Sequence, residues 1–379
     1  MAEEDPLPEA DGVDGFAHPR EARSVFGQDT AVDAFTAAWQ SGRMHHAWLL
    51  RGPEGVGKAT LAYRVARAIL VQPQAAGGLF GAPEPGRLDL ETPTDCPVQA
   101  RITAQSEPRL HVLRRGLNDQ GRLQNQITVD RVRAVRQFLT LSAADGGWRV
   151  IIVDSADEMN RNAANALLKF LEEPPAETLF LLISHSPAGL LPTISSRCRT
   201  VDLHPLDAES LAWALAQAGA GITRTDTPAL AELGAGSAGR ALRLIAGDGV
   251  AVYMRLLQML RAGRGVDRAA MTELADMVSQ RDAATRYSMV ISLTQTLLTR
   301  LARRAAMAGS PDPIAPEEDA LWKAAASHPG QAGPWAEVLS TISRTTSHAM
   351  AVNLDPGQCV IDTFLRIDDT LSRVRTVAA

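Results

Sequence analysis

An α/β domain with a five-stranded parallel sheet, followed by an all-helical region, is the fold class that this 379-residue sequence predicts. Three features predict it. Short apolar runs alternate with amphipathic stretches through residues 21–205, the pattern of a parallel sheet covered on both faces. One of those runs leads into the glycine-rich stretch "LLRGPEGVGKATLA" at 49–62. After Leu206 no convincing strand remains, and helical segments follow one another along the rest of the chain.

Residues 1–20 form an acidic, Pro- and Gly-rich tail, read as disordered. A helical pattern runs from 29 to about 41, with Asp29 as its cap. "HAWLLR" (46–51) is a buried strand ending at glycine, and the helix at 58–70 sets Leu61, Val65 and Ile69 on one face. Residues 72–94 read as a loop or insertion. "LHVLRR" (110–115) is the next strand and "TVDRVRAVRQFLTL" (128–141) an amphipathic helix. "WRVIIVD" (148–154) is an apolar strand ending in an acid. "NAANALLKFLEEPP" (162–175) is a helix stopped by two prolines. "LFLLIS" (179–184) and "TVDLH" (200–204) complete the five strands. A small helical lid at 206–247 and a helical domain at 248–379 follow. Their helices are expected near 207–218, 227–234, 237–246, 250–262, 267–279, 281–308, 316–326, 333–350 and 355–376. Pro228, Pro316, Pro334 and Pro356 stand where first-turn prolines are tolerated.

Composition narrows the function classes. Hydrophobic residues make up 45% of the chain, ample for real cores, and aromatics only 4%, too few for a base-stacking platform. The formal net charge is -5, but residues 1–15 hold six acids and no base, so the folded part is within one charge of neutral. That argues against a dedicated nucleic-acid binder. The cysteines Cys96, Cys198 and Cys359 are scattered and odd in number, which fits a reducing compartment. No apolar run is long enough to span a membrane, and the acidic start is unlike a secretory signal, so the reading is cytoplasmic. Lysine occurs only at 58, 169 and 323 against a strong arginine preference, which suggests that local chemistry holds Lys58.

The stretch at 49–62 nearly spells a phosphate-binding loop: Gly52, Gly55, Gly57 and Lys58 between a strand and a helix. The competing reading is a glycine-rich turn with no ligand. Ala59 stands where a hydroxyl would hold magnesium, and Thr60 is one residue late, about 100° round the helix. At the end of "RVIIVD", Asp154 occupies the place of a metal-orienting acid, but Ser155 follows where a water-polarising Glu would stand. Losing such a base costs on the order of 10²–10⁴ in rate. Phosphate binding thus stays open while metal-assisted hydrolysis is disfavoured at two separate elements. Arg197, in "TISSRCRTVDL" (193–203), lies at the edge of the sheet domain, where an arginine can project toward a neighbour's phosphates or simply face solvent. Cys198 beside it reads as a small buried residue, with no base arranged around it.

Together, "HHAWLLRGPEGVGKATLA", "NAANALLKFLEEPP" and "TISSRCR" resemble the delta-prime family of bacterial DNA polymerase III subunits, within the AAA+ clamp-loader group. The likeness spans roughly 24–247 and is looser beyond, where "NLDPGQCVIDTFLR" (353–366) matches best. It implies a AAA+ P-loop domain, a lid and an oligomerising collar. It also implies a stator: no intrinsic ATPase activity, with Arg197 as an arginine finger in trans to a gamma/tau neighbour. Gamma/tau and delta are the implied direct partners. The sliding clamp and primer-template DNA are reached through the complex, and the whole is part of a DNA-directed DNA polymerase holoenzyme. Motor members of the group carry a sensing arginine in a "GSxR" segment, whereas "GSAGRAL" (236–242) has Gly239 there and Arg240 one step later. At most weak ATP or ADP binding is implied for the altered pocket. The family's four-cysteine zinc module is reduced to Cys96, and the adjacent His45 and His46 cannot easily converge on one ion, so no zinc is expected. An active gamma/tau-type motor and a free-standing nucleotide switch are the alternatives.

Overall fold

A computed structural model describes residues 12–72, 88–91, 95–118, 121, 123–141, 147–221, 227–260, 265–280, 283–307, 312–351 and 354–377. The chain divides into two units, one built from Met1–Thr223 with Gly234–Leu242, the other from Arg224–Leu233 with Arg243–Ala379.

The first unit is a three-layer α/β structure. Its strands are β1 (Ala47–Arg51), β2 (Leu110–Leu113), β3 (Arg149–Val153), β4 (Thr178–Ser184) and β5 (Arg199–Asp202). They pair in parallel in the order β2-β3-β4-β1-β5, so the predicted sheet is present with its predicted direction. Its helices are α1 (Asp29–Gln40), α2 (Lys58–Leu70), α3 (Pro97–Thr103), α4 (Val129–Leu141), α5 (Arg161–Glu172), α6 (Pro192–Ser195) and α7 (Ala208–Gln217).

Strand alternation divides the core. Trp48, Leu50, Val150, Ile152, Leu181 and Ile183 point to one face and pack with Phe35 of α1 and Leu61, Val65 and Ile69 of α2. Ala47, Leu49, Ile151, Val153, Phe180 and Leu182 point to the other, against Val132 and Val135 of α4 and Leu167 and Leu171 of α5. Burial on both faces explains why these strands read as continuous apolar runs.

Local differences from the sequence reading have local causes. Asp29 is the first helical residue rather than the cap. The cap position is Gln28, whose side chain bonds elsewhere, and the Asp29 carboxylate lies in the first turn, where the helix dipole favours it. The short helix α3 was not expected. Pro97 sits in its first turn and Val98 and Ile102 bury against α2, so packing sustains a helix too short to show a period. The expectation of disorder for 1–20 falls outside the described residues up to 11. Beyond that, Pro19–Glu21 forms a 3₁₀ turn capped by His18, whose ring meets the Tyr63 ring edge-on at 5.9 Å. Most of the segment 72–94 also lies outside the described residues.

The second unit is helical among its described residues. It holds α8 (Thr227–Leu233), α10 (Gly249–Met259), α11 (Arg268–Val278), α12 (Ala283–Ala306), α13 (Pro316–Ala325), α14 (Ala332–Ala351) and α15 (Pro356–Val377), while α9 (Ala238–Ala246) runs from one unit into the other. The long α12 packs along α14, and α11 along α15. At its centre the Arg300 guanidinium donates to both Glu318 oxygens, at 2.7 and 3.1 Å, and to Glu232 of α8 at 2.6 Å. Tyr253 donates to the same Glu318 at 2.7 Å. Glu318 is 0% exposed, and its charge is tolerated because each oxygen has two donors. Through Glu232 this network ties α8 to the C-terminal helices. Among the described residues no helix is long and apolar enough to cross a membrane.

Candidate nucleotide pocket and arginine edge

Two groups of the predicted residues emerge, at opposite ends of the strands. Gly52, Gly55, Gly57 and Lys58 form the loop between β1 and α2, with Gly57 as the cap residue of α2. Asp154 follows β3 at the same, carboxyl end of the sheet, which is where open α/β sheets bind ligands. Arg197 precedes β5 at the other end. Since Arg199 pairs with Trp48, the loop that begins at Gly52 lies about 13 Å further along the strand direction.

The loop is internally satisfied. Lys58 is 2% exposed and donates to the Gly52 carbonyl at 2.6 Å and to the Pro53 carbonyl. Burial pushes its ammonium down to about 8, against the opposing pull of Asp157, Glu54 and Asp154. Its charge therefore closes on the loop's own backbone. Gly52 (φ +144°) leaves no room for a side chain, since a Cβ there would lie 2.3 Å from the Leu203 carbonyl oxygen.

The segment 237–239 packs directly on this loop. The Ser237 hydroxyl donates to the Glu54 carbonyl at 2.8 Å, and the Gly239 amide donates to the Gly55 carbonyl at 3.0 Å. Gly55 (φ +76°) must be glycine for a second reason: a Cβ would meet Ser237 Oγ at 2.4 Å. Arg240 is exposed, and its amide donates to Ser237 Oγ at 3.1 Å. The deviant "GSAGR" sequence thus has a structural consequence, because Gly239 allows its backbone to come against Gly55.

Asp154 is 5% exposed, its amide bonded to the Leu113 carbonyl at 2.9 Å. Ser155 is left-handed (φ +58°), and its hydroxyl pairs with His185 Nε2 at 3.1 Å, bridging the ends of β3 and β4. The side chain in the water-polarising position is therefore engaged with an imidazole. Asp157 accepts from the His185 amide at 3.0 Å.

At the other end, Arg197 is partly exposed. Its Nη2 reaches Glu172 Oε1 at 2.8 Å, and its Nη1 donates to the Thr193 carbonyl at 3.0 Å. Burial pushes the neighbouring Cys198 thiol up to about 12, which leaves it a packing residue. His45 and His46 stack at 4.4 Å, His45 Nδ1 against the Ala47 carbonyl and His46 Nε2 against that of Leu171. Cys96 precedes α3. Among the described residues no three metal-ligating side chains converge.

Sequence reasoning missed three contributors. Gln28 is 4% exposed and bridges the Val56 and His204 carbonyls, fastening the loop to the end of β5; nothing in its neighbourhood signals this. His185 was detectable as a polar residue just after the carboxyl end of a strand. Glu172 was detectable as an acid at a helix C terminus, where the dipole disfavours it.

Residues 27–207 match the family model described as "DNA polymerase III, delta subunit". The DNA polymerase III subunit delta' of Pseudomonas aeruginosa is 41% identical over 153 residues, covering 40% of this chain and 41% of that one. The subunit delta' of Escherichia coli is 36% identical over 230 residues, covering 60% and 63%. The subunit tau of Escherichia coli is 30% identical over 201 residues, covering 51% and 27%. The matches thus span about two fifths to three fifths of the delta' relatives' length. They bear out the resemblance to DNA polymerase III delta' subunits drawn from the motifs of the sheet-bearing unit.

Proposed function

We propose, for a chain whose AAA+ part is homologous to DNA polymerase III delta' subunits, that it serves as a non-motor subunit of the clamp loader. In this reading it hydrolyses no ATP itself. It donates Arg197 to the phosphates of a nucleotide held by a gamma/tau neighbour, so that the sliding clamp is loaded onto primed DNA. Delta and gamma/tau are its direct partners, and the C-terminal helices its means of assembly. Clamp and primer-template are engaged through the complex, in the cytoplasm, and any contact of this chain with the DNA is to backbone phosphates and sequence-independent. Its own pocket holds ATP or ADP weakly at most, and no zinc is part of it.

One observation carries the reading: Arg197 lies partly exposed at the far end of the strands from the phosphate loop, whose carbonyls Lys58, Ser237 and the Gly239 amide already engage. The arginine's distance of about 13 Å from its own loop supports a role toward another subunit's nucleotide rather than its own. Preorganised positive charge at a transferring phosphoryl group is the catalytic contribution such a residue makes. Arginine fingers contribute about 10³–10⁵ in turnover in well-studied NTPases.

The test is ATP hydrolysis by the complex reconstituted with gamma/tau and delta. Arg197→Ala should abolish DNA-stimulated hydrolysis at the site it serves, and unchanged turnover refutes the assignment. The 30% identity to tau supports a second reading, an active motor. Steady ATP hydrolysis by the purified chain, lost in Lys58→Ala, would establish that instead.

A further inference from the structure

The C-terminal end of α5 is an electrostatically unfavourable place for acids, yet Glu172 closes the helix and Glu173 caps it. Glu172 is compensated by Arg197, whose Nη2 lies 2.8 Å from Oε1. The Nη1 of the same guanidinium donates to the Thr193 carbonyl of α6 at 3.0 Å, so Arg197 is held from two sides by its own chain. The backbone at the end of α5, which carries Glu172, is anchored. The carbonyl of the preceding Leu171 accepts from His46 Nε2 at 3.0 Å, which pins the end of α5 to the start of β1. His46, Leu171, Glu172 and Arg197 line an open cleft of about 560 Å³ together with Arg199.

We propose that Glu172 is a positioning residue for Arg197, parking the guanidinium against the surface until a neighbouring subunit's nucleotide phosphate displaces the carboxylate. The proposal rests on the reading of Arg197 as a finger in trans. Both side chains stay substantially exposed, 36% and 49%, so the pair belongs to the class that exchanges partners at little cost. Glu172 approaches the guanidinium most closely through Oε1. A phosphate offers more charge and can meet the planar fork bidentately, so it wins the exchange. Because each engagement must first break the parked pair, Glu172 raises the apparent KM for ATP of the assembled complex and leaves kcat nearly unchanged.

Steady-state ATP hydrolysis by the complex reconstituted with gamma/tau and delta tests this. Glu172→Gln and Glu172→Ala should each lower the KM for ATP by about two- to fivefold, the range open to an exposed ion pair. Glu172→Asp, which keeps the charge, should return KM toward the starting value. The gain should shrink at about 1 M salt, where screening acts within about 3 Å, and vanish in an Arg197→Ala background. Unchanged or raised KM in both charge-removing variants, in a complex that Arg197→Ala slows, overturns the parking role and leaves the finger standing. If Arg197→Ala leaves turnover unchanged, the finger reading falls and the parking role with it.

Discussion

The Gly239 amide donates to the Gly55 carbonyl at 3.0 Å, so the backbone of the 237–239 segment lies directly on the phosphate loop. The contact requires glycine on both sides, since a Cβ on Gly55 would lie 2.9 Å from the Gly239 Cα and one on Gly239 as close to the Gly55 Cα. Gly55→Ala should therefore destabilise the protein by about 2–3 kcal/mol, combining overpacking with a left-handed backbone. Ser237→Ala, which removes the bond to the Glu54 carbonyl and the acceptor of the Arg240 amide, should cost about 1–2 kcal/mol. Urea midpoints at unchanged m-value measure both. Equal effects would mean that the close approach is not what holds the segment.

Lys58 carries a pH dependence. Its ammonium titrates near 8 in the folded chain because burial disfavours the charge, and near 10.4 when unfolded (roughly, as in model peptides). Between these values the unfolded chain binds more protons, so the contribution of Lys58 to stability rises with pH across that window, and its penalty is complete below 8. The stability of the native protein relative to Lys58→Met should accordingly increase by about 3 kcal/mol at most from pH 8 to 10.4. A flat difference would show that the ammonium is well solvated.

Removing one partner of the Arg300–Glu318 pair should be severe. Arg300→Met strands a fully buried carboxylate with Tyr253 and the Ile314 amide as its remaining donors. A loss of about 3–5 kcal/mol is expected by thermal or urea denaturation. The double variant Arg300→Met/Glu318→Leu should recover much of it, because no uncompensated charge remains. Additive losses would contradict the coupling.

Cys198 should be chemically quiet. With its thiol pushed up to about 12 by burial, the thiolate fraction at pH 8 is about 10³-fold below that of a free cysteine. Iodoacetamide labelling followed by mass spectrometry should find Cys198 slow in the native chain and fast in urea.

In the isolated chain, millimolar Mg–ATP should leave the melting temperature nearly unchanged, since a ligand present below its Kd adds little stability. A rise of several degrees would show a pocket that opens readily to nucleotide.

By itself the sequence determined the layered sheet domain and the helical region after it. Strands buried on both faces must read as apolar runs, and amphipathic helices must repeat near 3.6 residues, so both patterns are local and linear. It also carried the chemistry of absence: Ala59 and Ser155 are visible without coordinates. What only the tertiary structure decided are contacts between segments far apart in the chain. Lys58 turns back on Gly52, Ser237 reaches Glu54 across 183 residues, Gln28 ties the loop to His204 across 176, and Arg197 rests on Glu172. No period or spacing encodes such pairs. They arise because the parallel strands bring their carboxyl ends to one edge and leave Arg197 at the other, and each polar group buried there must find a partner wherever the fold has placed one.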